Sequence, residues 1–497
     1  MRPGSCRTAL LGLTWRSVLR HVNDPWPNFR RCSARGYATG PDDASNQGGP
    51  PGQHPDTSNK QAVPSGGIQK PRTPPSWHRA PPWRTNNPLF TPKPKRWRLR
   101  KNFSYTCTVP AEPVAAYKAG GYAVMPLGKL LKRQKYKLVH KLGWGRYSTV
   151  WAAIETRGPN PRTVAVKICM AGNEDDPNDP RRKPREGDIL SRMVAMRNTP
   201  AGDQVLPLLD HFDILGWNGQ HECFVFEIMG PTVQEAMDGY FPGGRLPAKL
   251  AKRIAVQVLS GLQSMHNNGI AHGDLRTGNV AFTAPLLEGV EENQLMDILG
   301  EPELGEVSRT DGLPPVRKVP KTLVRPASVP YKYWETSPVK IIDFGESFLR
   351  SKAPETLDTA LAVRAPEVIF KEEFDHRVDL WSLGCFLFEL FVGQPPFDSL
   401  MTTPKILVGQ MQGMASDRMS GRWMNQWKKM QGEPTEPSGH TLEDWLEEMY
   451  FDGERKADLT KEDIAHLAQL IGKLLRFEPM QRASAQEILD DPWFKDI

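Results

Sequence analysis

The sequence predicts an α+β fold, a strand-rich part followed by a mainly helical part, behind a long amino-terminal region with no fold of its own. Three observations carry this. An alternating apolar segment begins at Tyr136 (Tyr136, Leu138, His140, Leu142), and further apolar runs follow at Val164–Val166 and Cys223–Phe226. From residue 250 the period changes, and Leu250, Ile254, Val258, Leu262 and Met265 lie on one stripe of a helix. Residues 41–94 hold 13 prolines and little aliphatic content, too little apolar surface to offset the entropy of ordering the chain.

Charge divides the chain in the same place. Over 497 residues, 64 Lys and Arg oppose 57 Asp and Glu, a formal charge of +7. Residues 1–135 hold 23 and 5, a net of +18, and residues 136–497 hold 41 and 52, a net of −11. A basic leader precedes an acidic body. No run approaches the roughly 20 apolar residues of a bilayer-spanning helix, so no membrane span is expected. The six cysteines are scattered with no C-x-x-C pair, which indicates neither a zinc module nor a disulfide framework.

Residues 1–23 contain no acid, and Arg7, Arg16 and Arg20 are interleaved with Leu11, Trp15, Val18, Leu19 and Val22 at helical spacing. With Arg35-Gly36-Tyr37-Ala38 beyond them, residues 1–40 resemble a mitochondrial presequence, and a plain basic tail is the alternative. Residues 41–116 read as a Pro-rich disordered linker. Its KPKRWRLRK stretch (93–101) is a nuclear address, a polyanion patch or a solvated spacer. Globular character begins at about residue 117, with a strand-rich part over 117–229 and a helical part over 230–497.

Leu142-Gly143-Trp144-Gly145 runs into Ser148 and Val150. Glycines between two strands let backbone N–H groups come close to phosphates, although an ordinary hairpin looks the same. Val164-Ala165-Val166-Lys167 then places a lysine on a strand. Glu186, with Ile189 and Leu190 at helical offsets, can face that lysine from a helix, and Asp188 competes if the register differs. Cys223 to Gly230 reads as a strand and an exit into the helical part. Next comes His272-Gly273-Asp274-Leu275-Arg276-Thr277-Gly278-Asn279, a carboxylate that can take a hydroxyl proton and an amide oxygen five residues on that can reach a metal. An apolar strand delivers a second carboxylate at Ile341-Ile342-Asp343-Phe344-Gly345. One Asn, one Asp, phosphates and water suit magnesium. Ala365-Pro366-Glu367, Asp379-Leu380-Trp381-Ser382-Leu383-Gly384, Arg482 and the S-x-x-E capping box Ser484–Glu487 follow in order.

This ordered set resembles a protein kinase domain over residues 136–494. The nearer resemblance is to the SR-protein kinases, in LGWGRYSTVW (142–151), LLDHF (208–212), NGQH (218–221), FVFEIMGP (224–231), QVLSGL (257–262) and HGDLRTGNVAF (272–282). GEPELGEVSRTDGLPP (300–315) belongs to an insert, about 283–337, that such kinases also carry. The resemblance implies a two-lobed protein-kinase-like fold and ATP-dependent phosphorylation of Ser, with Thr as a second acceptor, on basic or Arg/Ser-rich protein substrates. It implies a site in which Leu142, Gly143, Gly145, Val150, Ala165, Lys167, Glu227 and Met229 hold ATP, Phe226 guards the adenine pocket, and Asn279 and Asp343 bind Mg2+. Asp274, Arg276, Lys167 and Glu186 carry the catalytic roles, and Glu367 pairs with Arg482 to hold the activation segment. A monomer with no direct nucleic-acid partner is expected. Cytoplasm and nucleus follow from the resemblance, the mitochondrion from the first 38 residues.

Several positions depart from the family pattern. Ser148 stands in place of the third glycine, Gly273 in place of the Arg before the catalytic Asp, Arg276 in place of a Lys, and Val363 where a Tyr is common. The missing Arg suggests independence from activation-loop phosphorylation. Two rival readings are a pseudokinase scaffold, which binds partners without transfer, and a small-molecule kinase. Finally, residues 442–463 hold nine acids and three bases, either a solvated helix face or a docking face for Arg-rich substrates.

Overall fold

The computed structural model describes residues 104–158, 162–172, 186–194, 200–397, 403–431, 440–453 and 455–495. The presequence reading, and the linker reading up to residue 103, lie outside the described residues. Within 96–497 the chain is one unit, built as two lobes.

The amino-terminal lobe runs through β1 (Tyr105–Cys107), β2 (Leu130–Leu131), β3 (Tyr136–Gly145), β4 (Ser148–Glu155), β5 (Arg162–Cys169), α1 (Glu186–Met193), β6 (Asp210–Gly216) and β7 (Gly219–Glu227). Strands β2 to β7 form one antiparallel sheet in the order β2-β3-β4-β5-β7-β6. Both faces of its central strands are buried, as the pleat requires of a covered sheet. Val139, Ala152, Phe224 and Phe226 face α1, which answers with Ile189, Leu190 and Met193. Leu138, Trp151, Val164, Val166 and Val225 face the other way, under Ala123, Leu131 and Val324.

The carboxy-terminal lobe begins at β8 (Met229–Thr232) and α2 (Val233–Tyr240), whose Thr232–Glu235 capping box satisfies its first turn. It continues through α3 (Ala248–Asn267), β9 (Ile270–Ala271), β10 (Val280–Thr283), α4 (Glu292–Leu299), β11 (Leu304–Arg309), β12 (Thr322–Val324), β13 (Val339–Ile341) and β14 (Phe348–Leu349). Then come α5 (Pro366–Ile369), α6 (Val378–Val392), α7 (Pro404–Met414), α8 (Gly421–Gln431), α9 (Leu442–Tyr450), α10 (Lys461–Leu474) and α11 (Ala485–Leu489). Every residue of α6 is buried, so it is the axis of the lobe, and its C-cap Gly393 takes the left-handed conformation that ends it. The apolar stripe predicted at residues 250–265 is real: Ile254, Val258, Leu262 and Met265 are buried on α3.

Two strands from the insert return to the first lobe. β11 pairs with β1 and β12 with β11, a three-stranded sheet in which Tyr105 lies opposite Arg309. Val307, Val319 and Leu323 of the insert pack on Val114, Tyr117 and Tyr122. Beneath them Glu112 receives Tyr117 Oη and Lys141 Nζ, with both side chains of the Lys141–Glu112 ion pair fully buried. Residues 104–116, read as part of the disordered linker, are instead folded into this lobe, which corrects that reading for them. The reason is physical: residues 104–116 are too few to bury an apolar face by themselves, and their apolar partners Val307, Val319 and Leu323 come from the insert.

Candidate active site

Lys167 sits on β5, opposite Val150 of β4 and Phe224 of β7. Its Nζ donates to Glu186 Oε1 at 2.7 Å and to Asp343 Oδ1 at 2.8 Å. The helix register therefore favours Glu186; Asp188 is exposed. Burial would by itself push the Lys167 ammonium down, but the Asp343 and Glu186 carboxylates outweigh it and hold its pKa well above the usual lysine value. The same attraction holds the Asp343 carboxyl below the usual carboxylate range. Glu186 moves the other way, because burial outweighs its lysine.

Gly143 and Gly145 end β3 with no positive φ. A Cβ on either would meet nothing within 4 Å, so neither internal packing nor backbone strain demands glycine there, and the space above them is open for a bound group. Tyr122 Oη donates to Gly145 O at 2.6 Å and so steadies the strand end. Ala165 and Phe226 are buried opposite one another in the β5–β7 register, while Leu142, Val150, Glu227 and Met229 are half-buried around the junction of the lobes. The Glu227 carboxylate takes Lys340 Nζ at 2.5 Å.

The loop that carries Asp274 is held from four directions. Asp379, at the start of α6, accepts the backbone N–H of His272 at 2.7 Å and of Gly273 at 2.8 Å, and its Oδ2 lies 2.9 Å from His266 Nε2. Burial opposes the charge of Asp379, but these bonds win and lower its pKa. Ser347 Oγ donates to His272 O, and Thr359 Oγ1 donates to Gly273 O at 2.7 Å. Ala360 N–H reaches Asp274 Oδ1 at 3.0 Å. Asn279 Nδ2 donates to Asp274 O at 2.7 Å and Oδ2 at 2.9 Å. Burial raises the pKa of Asp274, against Arg276, whose Nε is 3.3 Å from Asp274 Oδ2. The Arg276 guanidinium lies over Gly278, where a Cβ would be 2.2 Å from its Nη1.

The donor set fits a hard divalent cation. Asn279 spends its N–H groups on Asp274, which leaves Oδ1 as its ligating atom, and Asp343, half-exposed, spends one oxygen on Lys167. Two such oxygens beside a phosphate chain match magnesium. Phe344 is buried beside His272, ring centroids 5.7 Å apart. Glu367 and Arg482 form a buried bidentate pair, both bonds 2.7 Å.

Gly273 explains one departure from the family pattern. Its φ is +82°, and a Cβ there would lie 2.3 Å from the Glu346 carbonyl oxygen. No arginine fits this backbone. Val363 is buried, and its carbonyl accepts Ser382 Oγ. The residues that sequence reasoning left without a role are Asp379, His266, Ser347 and Thr359. Only Asp379 left a signal, the D-x-W-S-x-G pattern.

This fold and this constellation define a protein kinase. The protein kinase domain model matches residues 136–288 and 330–494, and the chain belongs to that family. It is a serine/threonine protein kinase that resembles the SR-protein kinases. Serine/threonine-protein kinase SRPK of Physarum polycephalum is 27% identical over 407 residues, 77% of this chain and 90% of that protein. Protein kinase dsk1 of Schizosaccharomyces pombe is 24% identical over 478 residues, 77% and 84% of the two chains. Serine/threonine-protein kinase SKY1 of Saccharomyces cerevisiae is 35% identical over 184 residues, 36% of this chain and 24% of that one.

Proposed function

We propose that the chain transfers the γ-phosphoryl group of ATP to serine, with threonine as a second acceptor, on basic proteins. The observation that carries this is the placement of Lys167 between Glu186 and Asp343, with the Asp274 carboxylate fixed by Ala360 and Asn279 in the same cleft. Leu142, Val150, Ala165 and the Glu227–Met229 backbone enclose adenine. Gly143 and Gly145 cover the phosphates, and Lys167 holds the non-transferred ones. Asn279 and Asp343 would hold Mg2+, which would supply charge neutralisation. Asp274 orients the acceptor hydroxyl and takes its proton as that oxygen attacks the γ-phosphorus and the bond to the β-phosphate oxygen breaks. Arg276 offsets charge near the same carboxylate. Positioning and electrostatics supply most of the acceleration in such a site.

Basic substrates suit the net −11 of residues 136–497. The acidic stretch at 442–463 is less free than its composition suggests. Asp444 and Asp463 accept the backbone N–H of the N-cap residues Thr441 and Thr460, Asp452 holds Arg455, Asp458 binds Ala248 N–H and Tyr450, and Glu447 pairs with Lys461. Substrate attraction therefore rests on the field of the whole body more than on that stretch. We read the leader as an address or tether, which imaging of the chain with and without residues 1–38 tests.

Phosphorylation of a peptide library by the full chain, beside Asp274→Asn, tests the function. Transfer to Ser-containing basic peptides that Asp274→Asn reduces at least a hundredfold is the expected result. No transfer by the wild type, with partner binding retained, would favour a scaffold.

A further inference from the structure

A second cluster of ligating side chains lies away from the cleft, on the edge of the first sheet. β6 is the edge strand, and along it every other residue from His211 to Leu215 is exposed. His211 and Asp213 therefore share one sheet face, the side of Phe224, at its exposed edge. Asp213 lies directly opposite Glu222 of β7. Two carboxylates directly opposite on one sheet face repel each other, and among the described ion pairs the only basic group beside either is His211. The three side chains bring one ligating atom each within 4.8 Å of one another. His211 Nε2 is already 3.5 Å from Glu222 Oε1. A tetrahedral zinc with bonds of about 2.0–2.1 Å spaces its ligand atoms about 3.4 Å apart.

The imidazole is also held in place. Its ring stacks on Phe224, centroids 4.8 Å apart and planes 12° from parallel. A Cβ on Gly187 would lie 3.5 Å from its Cε1, so the first turn of α1 closes over it. Nδ1 and Nε2 thus keep a fixed direction, as a metal-ligating histidine needs. The two carboxylates sit on hydrogen-bonded strands, so closing the triad needs side-chain rotation only.

We propose that His211, Asp213 and Glu222 form a divalent transition-metal site, with Zn2+ as the best-matched ion. One imidazole and two carboxylates leave at least one position open to water or to a ligand from another molecule. Hard Mg2+ prefers all-oxygen sets and near-ideal octahedra, so the two kinds of ion separate between this site and the cleft.

Equilibrium dialysis with Zn2+ tests this on the full chain, with Mg2+ and a non-hydrolysable ATP analogue in excess to occupy the cleft. The wild type should bind one Zn2+ more than His211→Ala does, and Glu222→Gln should weaken that ion at least tenfold. Co2+ substitution reads the ligands independently: a visible d–d band of a nitrogen- and oxygen-bound ion should appear in the wild type and vanish in His211→Ala. Melting curves of each variant without metal show whether it is folded, and Asp213→Asn serves where one is not. Equal Zn2+ binding by the wild type and a folded His211→Ala, or no Co2+ band in the wild type, overturns the proposal.

Discussion

Gly273 shows how much one residue can fix. Its left-handed φ and the 2.3 Å approach of the Glu346 carbonyl leave no room for a side chain. Gly273→Ala combines an unfavourable backbone region with overpacking, a cost of about 2–4 kcal/mol. Denaturant melts should show that loss, and kcat should fall with it, because the neighbouring carboxylate is displaced. Glu367 gives a contrasting case. The side chain of its partner Arg482 has no exposed surface, so Glu367→Ala strands a buried guanidinium. A loss of about 3–5 kcal/mol is expected, read in the same melts. Lys167→Met should abolish transfer, and circular dichroism should show the fold intact.

At the scale of elements, the junction of α3 with α6 carries a titration. His376 packs edge-on against His266, centroids 4.9 Å apart, and burial followed by the His266 charge pushes its pKa from 6.5 to about 4. A histidine depressed in the folded state binds its proton first in the unfolded one. Its contribution to stability is therefore complete above pH 6.5 and is lost as pH falls from 6.5 to about 4. The melting temperature should drop across that window, and His376→Gln should flatten the drop. The same junction shows what was and was not legible in the sequence. Lys167 and Glu186 could be paired in advance because a strand lysine and a helix acid have local signals. Asp379 lies 107 positions from His272, and nothing in its own segment says which backbone it will hold. Gly273 was legible as a departure, but its cause, the Glu346 carbonyl, belongs to a fold-level approach that no spacing encodes.

At the scale of the whole molecule, the lobes are joined by more than the hinge at β7–β8. The insert leaves after β10, sends Lys137 a partner in Glu292 and Arg162 a partner in Glu288, and reaches β1 before it returns at β13. This was illegible because β1 and β12 are three residues each and their partners are remote. Glu112→Ala tests the arrangement: it leaves Lys141, whose pKa burial already lowers, without a counter-charge. Stability should fall by about 3–5 kcal/mol, and amide exchange in β1 and β11 should accelerate ahead of the remaining sheet.

The pairing of β1 with β11 also sets a timetable. Thr108 and Glu306, hydrogen-bonded in the finished protein, are 198 positions apart. On a ribosome that adds about 5–20 residues per second, the first lobe waits some ten seconds or more for its last strands. Through that interval Val114, Tyr117 and Tyr122 lack the cover of Val307, Val319 and Leu323, so nascent protein of intermediate length should recruit holding chaperones that the completed kinase releases.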